Sequence, residues 1–153
     1  MATNPTYEQG ELQLKLFDLR REPRLRQARD WFNQNFFPKS FDDAMRIAPM
    51  GSEAGTSFMM VVSYWDQACA YLNYGLLHED LFFETNGEFF WIWERLKPTM
   101  EEGRRRFSNP LFLAHLEKAA NRYEAWIEQR EPGHLAAMRQ MMAQFAAQAP
   151  KAA

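Results

Sequence analysis

One carboxylate stands alone in the most apolar stretch of the chain. Between Glu53 and Glu79 the only formally charged residue is Asp66. A charge among apolar neighbours must be paired, hydrogen-bonded or solvated. Asp66 therefore has three readings. It forms a buried ion pair with an arginine of a neighbouring helix, either Arg95 or one of Arg104, Arg105 and Arg106. It anchors an aromatic-lined ligand pocket with Tyr64, Trp65, Tyr71 and Trp93, as a lone polar group in an apolar recess does. Or it faces water.

The other residues capable of chemistry are scattered. His78, His115 and His134 lie far apart with no HxxxH pair, and the single ExxH spacing, Glu131 to His134, is interrupted by Pro132-Gly133. Carboxylate-bridged di-iron bundles need inward Glu residues with ExxH pairs, so neither metal nor cofactor is expected. Ser52, Ser57 and Ser63 lack a GxSxG elbow, and the Gly51 to Gly55 segment lacks the length and lysine of a phosphate loop. Arg130 and His134 are separated by a Pro-Gly break, unlike the arginine–histidine pairs of small helical ribonuclease toxins. Cys69 is the one cysteine, which excludes an internal disulfide, and it reads as a small buried hydrophobe. No catalytic residue is expected, and the chain reads as non-enzymatic.

These residues need helices to position them. Phe58, Val61, Val62, Trp65, Cys69, Leu72 and Leu76 recur at steps of three and four. With Met59, Met60, Ala68, Ala70 and Tyr71 around the circumference, the helix is apolar almost all round, and such a helix belongs in the middle of a bundle. Ser52 suits its N-cap and Gly75 its stop. A first helix is expected over Tyr7 to Arg21 and a second over Pro23 to Phe36. A short one should start at Ser40. A helical turn is expected around His78 to Phe83. A long helix should start near Glu88, with Pro98 kinking or interrupting it. Asn109 and Pro110 should open the next helix, which Pro132-Gly133 ends. The segment from His134 is helical by propensity. No segment alternates as a strand does, and residues 1–6 and the tail from Ala149 read as loose.

Charge narrows the partners. The net charge is −2, so bulk electrostatics does not favour nucleic acid. Residues 1–39 carry 7 basic and 5 acidic groups, residues 40–102 carry 3 and 11, and residues 103–153 carry 8 and 4. Arg20, Arg21, Arg24, Arg26 and Arg29 cluster at one helix joint, either as a solvated face or as an anion or nucleic-acid patch. The start of the chain has no charged-then-apolar leader, and Ser57, Ser63, Asp66, Gln67 and Asn73 interrupt the central stretch. The expectation is a cytoplasmic protein with no membrane span.

Aromatic residues make up 15% of the chain. In Phe89-Phe90-Trp91-Ile92-Trp93, five large apolar residues cannot share one stripe, so this helix is buried on two sides or partly exposed. Phe90 and Trp91 are the candidate interface residues here. Leu135, Met138, Met142 and Phe145 form a second candidate interface on the last helix, since methionine surfaces adapt to partners.

Tyr64-Trp65-Asp66, the Gly-Leu-Leu-x-x-Asp-Leu joint from Gly75 to Leu81, and Trp93, Leu96, Pro98 and Arg104 resemble an uncharacterised bacterial all-helical family, a domain of unknown function, over roughly residues 55–127. The resemblance implies an all-helical fold and an Asp66–arginine pairing, and no reaction. Many such relatives carry an N-terminal membrane anchor, which is not expected here.

The expected architecture is all-α. Residues 1–131 form one bundle of about five main helices with a short helical insert, and residues 132–153 form a C-terminal docking helix and tail. The expected function is an interaction or accessory subunit that binds a protein partner or a second copy. A small-molecule domain around Asp66 and a nucleic-acid-associated regulator are the alternatives.

Overall fold

The computed structural model describes residues 3–149; Met1, Ala2 and residues 150–153, on which part of the loose-terminus expectation falls, lie outside the described residues. Among the described residues there are eight helices and no strand. They are α1 (Tyr7–Arg20), α2 (Pro23–Asn35), α3 (Phe41–Ile47), α4 (Glu53–Asn73), α5 (Glu79–Thr85), α6 (Glu88–Arg106), α7 (Ala114–Arg130) and α8 (His134–Gln148). The helical insert is thus two short helices, α3 and α5. None of the eight is long and apolar enough to cross a membrane.

Helix α4 is the centre. Val61, Val62, Trp65, Ala68, Cys69 and Leu72 are buried, and α4 packs mainly between α2 and α7. Ser52 caps it, its hydroxyl accepting the Gly55 N–H at 2.9 Å. Leu76, placed on the apolar stripe by its spacing, lies beyond the helix end and is exposed. The start of the chain is more ordered than expected. Thr6 caps α1 in a reciprocal box with Gln9, and the Thr3 carbonyl meets His78 Nε2.

Two helix boundaries differ from expectation. Helix α6 runs through Pro98 without interruption. Proline removes the N–H that would bond the Glu94 carbonyl, but Pro98 is on the exposed face, where water can take over that bond. Asn109 and Pro110 do not open a helix. Ser108 (φ 49°) and Leu113 (φ 56°) are both left-handed, and they bracket a run of turns that ends where α7 starts at Ala114.

The aromatic surplus is mostly core. Helix α6 is buried on two sides, which resolves the run of five large residues. Phe89 and Phe90 are both 0% exposed, and each meets Tyr123 of α7, with ring centroids 5.4 and 5.1 Å away. Phe90 is therefore not an interface residue: α7 covers it, and the Arg139 guanidinium of α8 lies 5.8 Å from its ring centroid. Trp91 is half-buried, edge-on to Phe90. Leu135 is likewise core, at 2% exposure, because it anchors α8 to the bundle.

Candidate functional site

The five residues expected to line one pocket do not converge. Tyr64, Trp65 and Asp66 each join α4 to a different helix. The Tyr64 hydroxyl donates to the Leu16 carbonyl of α1, and burial pushes its pKa up to about 12. Trp65 Nε1 donates to Glu88 at 3.3 Å. The Tyr71 hydroxyl accepts from Gln67 Nε2 at 2.6 Å. Trp93 is buried, and its indole N–H has no partner among the described residues.

Asp66 takes no arginine. Its Oδ1 accepts the Leu116 backbone N–H at 2.9 Å, in the first turn of α7. The first N–H groups of a helix have no partner within it. Leu113, at the N-cap position, has no side-chain oxygen to offer. Asp66 fills that vacancy from another helix, where the positive end of the helix dipole favours a carboxylate. This does not require a guanidinium to be stripped of water as well.

The expected arginine partners do the complementary job. Arg95 Nη1 donates to the carbonyls of Phe32 and Asn33, at 3.0 and 3.3 Å, in the last turn of α2. Its guanidinium stacks on Phe37 at 4.2 Å from the ring centroid, and burial lowers its pKa to about 10. Arg104 donates to the Phe112 carbonyl from Nε at 3.0 Å and from Nη2 at 2.8 Å, and it pairs with Glu117 at 2.7 Å. It thereby clamps the left-handed loop ahead of α7. Arg105 and Arg106 pair with Glu102, and Arg106 also reaches Asp42 at 3.0 Å.

The N-terminal basic cluster is partly consumed. Arg29 forms an ion pair with Glu88, which also receives Trp65 Nε1. Arg20 and Arg21 lie 5.1 and 5.8 Å from the Phe17 ring centroid. Cys69 is fully buried, and burial raises its thiol pKa well above the ordinary range. Such a thiol is inert as a nucleophile.

A large recess lies elsewhere in the fold. A cavity of about 750 Å³ is walled by α3, the N-terminal half of α4 and the C-terminal half of α6. Five of the nine methionines line it: Met45, Met50, Met59, Met60 and Met100. Phe36, Phe41, Phe58, Phe107 and Phe112 complete most of the wall. The roof is held by two close approaches. A Cβ on Gly55 would collide with the Pro49 carbonyl oxygen, and one on Gly103 would come within 3.2 Å of the Phe41 ring.

The hydroxyls around this cavity are already satisfied within their own helices. Thr56 donates to Ser52 at 3.1 Å and Thr99 to Leu96 at 2.7 Å, and Ser63 bonds the Met59 carbonyl. Its surface is therefore largely apolar, with Asn109 and Arg104 as its other polar lining residues. A signal for it was present in the sequence. The methionines between residues 45 and 100 are more numerous than those of α8, yet only the latter drew attention as a surface.

A second, more open recess of about 590 Å³ adjoins the first. Met100 and Arg104, one helical turn apart on α6, belong to both walls. The remaining lining is Trp93, Lys97, Glu101, Pro110, Glu117 and Asn121. Among the described residues, no group of three or more His, Cys, Asp or Glu side chains is placed to hold a metal.

No curated protein and no solved structure matches the chain. The resemblance seen over residues 55–127 extends further toward the N-terminus and takes in α1 to α3, while α8 falls outside it. With the family pattern matched over residues 5–123, the chain belongs to the family described as a domain of unknown function (DUF4760).

Proposed function

We propose that this chain is a binding domain, not an enzyme, and that it holds an apolar small molecule in the cavity between α3, α4 and α6. The observation carrying this reading is the cavity itself: about 750 Å³, lined by methionines and phenylalanines, with its hydroxyls turned to backbone carbonyls. Ligand sites commonly occupy roughly 300–1,000 Å³ and are largely apolar. Methionine walls adapt to chains of varied shape. Burying a ten-carbon chain contributes on the order of 8 kcal/mol, at about 0.8 kcal/mol per methylene. Association costs of about 4 kcal/mol leave about 4 kcal/mol, an affinity near millimolar. In this reading the small molecule sits in the methionine cavity and not around Asp66.

Titration with N-phenyl-1-naphthylamine, which brightens in apolar surroundings, tests the reading. Uptake should saturate at one dye per chain. Ser63→Trp puts a large ring at an exposed position on the cavity wall and should weaken uptake at least about tenfold. A linear, unsaturable signal, or saturable uptake unaffected by Ser63→Trp, would count against it.

A second reading, self-association or binding of a protein partner, is favoured by the outer faces of α1 and α8. Tyr7, Leu14, Phe17 and Leu19 are exposed on α1, and Met141 and Phe145 on α8, with Met138 and Met142 half-buried beside them. Exposed apolar stripes of this kind mark interfaces. Sedimentation of the protein should show a dimer that Leu14→Glu or Phe145→Glu dissociates. Monomer mass at every concentration would remove the self-association form of this reading.

A further inference from the structure

We infer that the ligand is an amphiphile, with its alkyl chain in the methionine cavity and a hydrogen-bond-accepting head in the adjoining cleft. The inference rests on the reading of the cavity as a ligand site and adds the chemical class of the ligand.

Two recesses of opposite character share a wall. The hydroxyls of the first donate to carbonyls of their own helices, and its other polar lining is Asn109 and the shared Arg104, so most of its wall suits an apolar chain. The second holds several donors beside the carboxylates of Glu101 and Glu117, the latter paired with Arg104. Trp93 lines it, is 4% exposed, and carries a buried indole N–H with no partner among the described residues. A buried donor left unbonded costs roughly 1–3 kcal/mol, which an incoming acceptor recovers. Arg104, on the shared wall, uses Nε, Nη1 and Nη2 once each toward Phe112 and Glu117. A guanidinium has five N–H donors, so two remain. The Lys97 ammonium and the exposed Asn121 amide complete the set. Lys97 can be spared from its pairing with Glu94, because Arg139 also binds that carboxylate at Glu94 Oε1. Met100 and Arg104 are four residues apart on α6, so chain and head would meet within a single helical turn.

Displacement of the bound dye by two ligands with the same nine-carbon alkyl chain tests this. Decanoate has an acceptor head, whereas nonyltrimethylammonium has none. Decanoate should displace the dye at least about tenfold more tightly, as expected for a charge-assisted hydrogen bond. Lengthening the carboxylate by one methylene should tighten it roughly fourfold until the cavity is full. Trp93→Phe should bring the two heads to within about twofold of each other. The double variant Lys97→Met with Asn121→Ala changes exposed positions only, and should narrow the difference between the two heads even if Trp93→Phe fails to fold. Equal displacement by both ligands overturns the inference and leaves the cavity reading standing. A decanoate preference that survives the cleft variants overturns it too, by placing the head elsewhere. Absence of saturable dye uptake, with no binding of either amphiphile, overturns both.

Discussion

The Asp66 carboxylate of α4 accepts the Leu116 N–H at 2.9 Å, and by that one bond it caps a helix to which it does not belong. Arg95 of α6 does the converse, donating to the carbonyls that end α2. An acid and a base that looked like partners in the sequence each neutralise the opposite end of a different helix dipole.

Asp66→Ala should therefore cost about 1–2 kcal/mol in urea unfolding, the range for a lost cap. Loss of one member of a buried ion pair would cost about 3–5 kcal/mol. Asp66→Asn keeps an acceptor oxygen and should cost less than Asp66→Ala. A loss above about 3 kcal/mol would restore the ion-pair interpretation.

Tyr64 governs stability in alkali. Its folded pKa is raised to about 12 against an unfolded value near 10. Between those values the folded state holds a proton that the unfolded state has released. Stability from this group is complete below about pH 10 and is lost as pH rises toward 12. Absorbance at 295 nm should show delayed ionisation of Tyr64, and also of Tyr123, whose pKa burial raises as well. Tyr64→Phe should remove the component near pH 12; an unchanged titration would contradict the Tyr64–Leu16 contact.

Glycine substitutions separate two environments. Gly55→Ala would drive a methyl into the Pro49 carbonyl oxygen and should cost about 1–3 kcal/mol, as overpacking does. Gly10 lies inside α1, where an added Cβ would meet nothing within 4 Å. Gly10→Ala should stabilise the protein by roughly 0.5–1 kcal/mol. Thermal melts of the two variants should move in opposite directions.

Removal of residues 133–153 tests the role of α8. It takes away Leu135 and the bonds from Arg139 to Glu94 and Glu124. Burial of one leucine is worth about 1.5–3 kcal/mol. The truncated chain should melt cooperatively but at a lower temperature. A chain with no cooperative transition would make α8 part of the obligatory core.

The helical period was legible wherever a stripe faced one neighbour. That placed α1, α2, α4 and α6 within a residue or two at each start. The start of α7 was not legible, because Asn109-Pro110 carries every local sign of a helix opening. What overrides it is tertiary: a left-handed Leu113, paired with a clamp from Arg104 and a cap from Asp66. The methionine cavity was not legible for a related reason. A lone charge draws attention in sequence, whereas five methionines spread over more than fifty residues become a cavity only once α3 folds back onto α4 and α6.

Helix α3 has no fully buried residue, and it forms one wall of the cavity. Such segments open at free energies well below global unfolding. Amide hydrogen exchange should therefore report two separate clocks, with the Phe41–Ile47 amides exchanging much faster than those of α4. Molecules would then come and go at the pace of this small fluctuation, while the aromatic core stays protected.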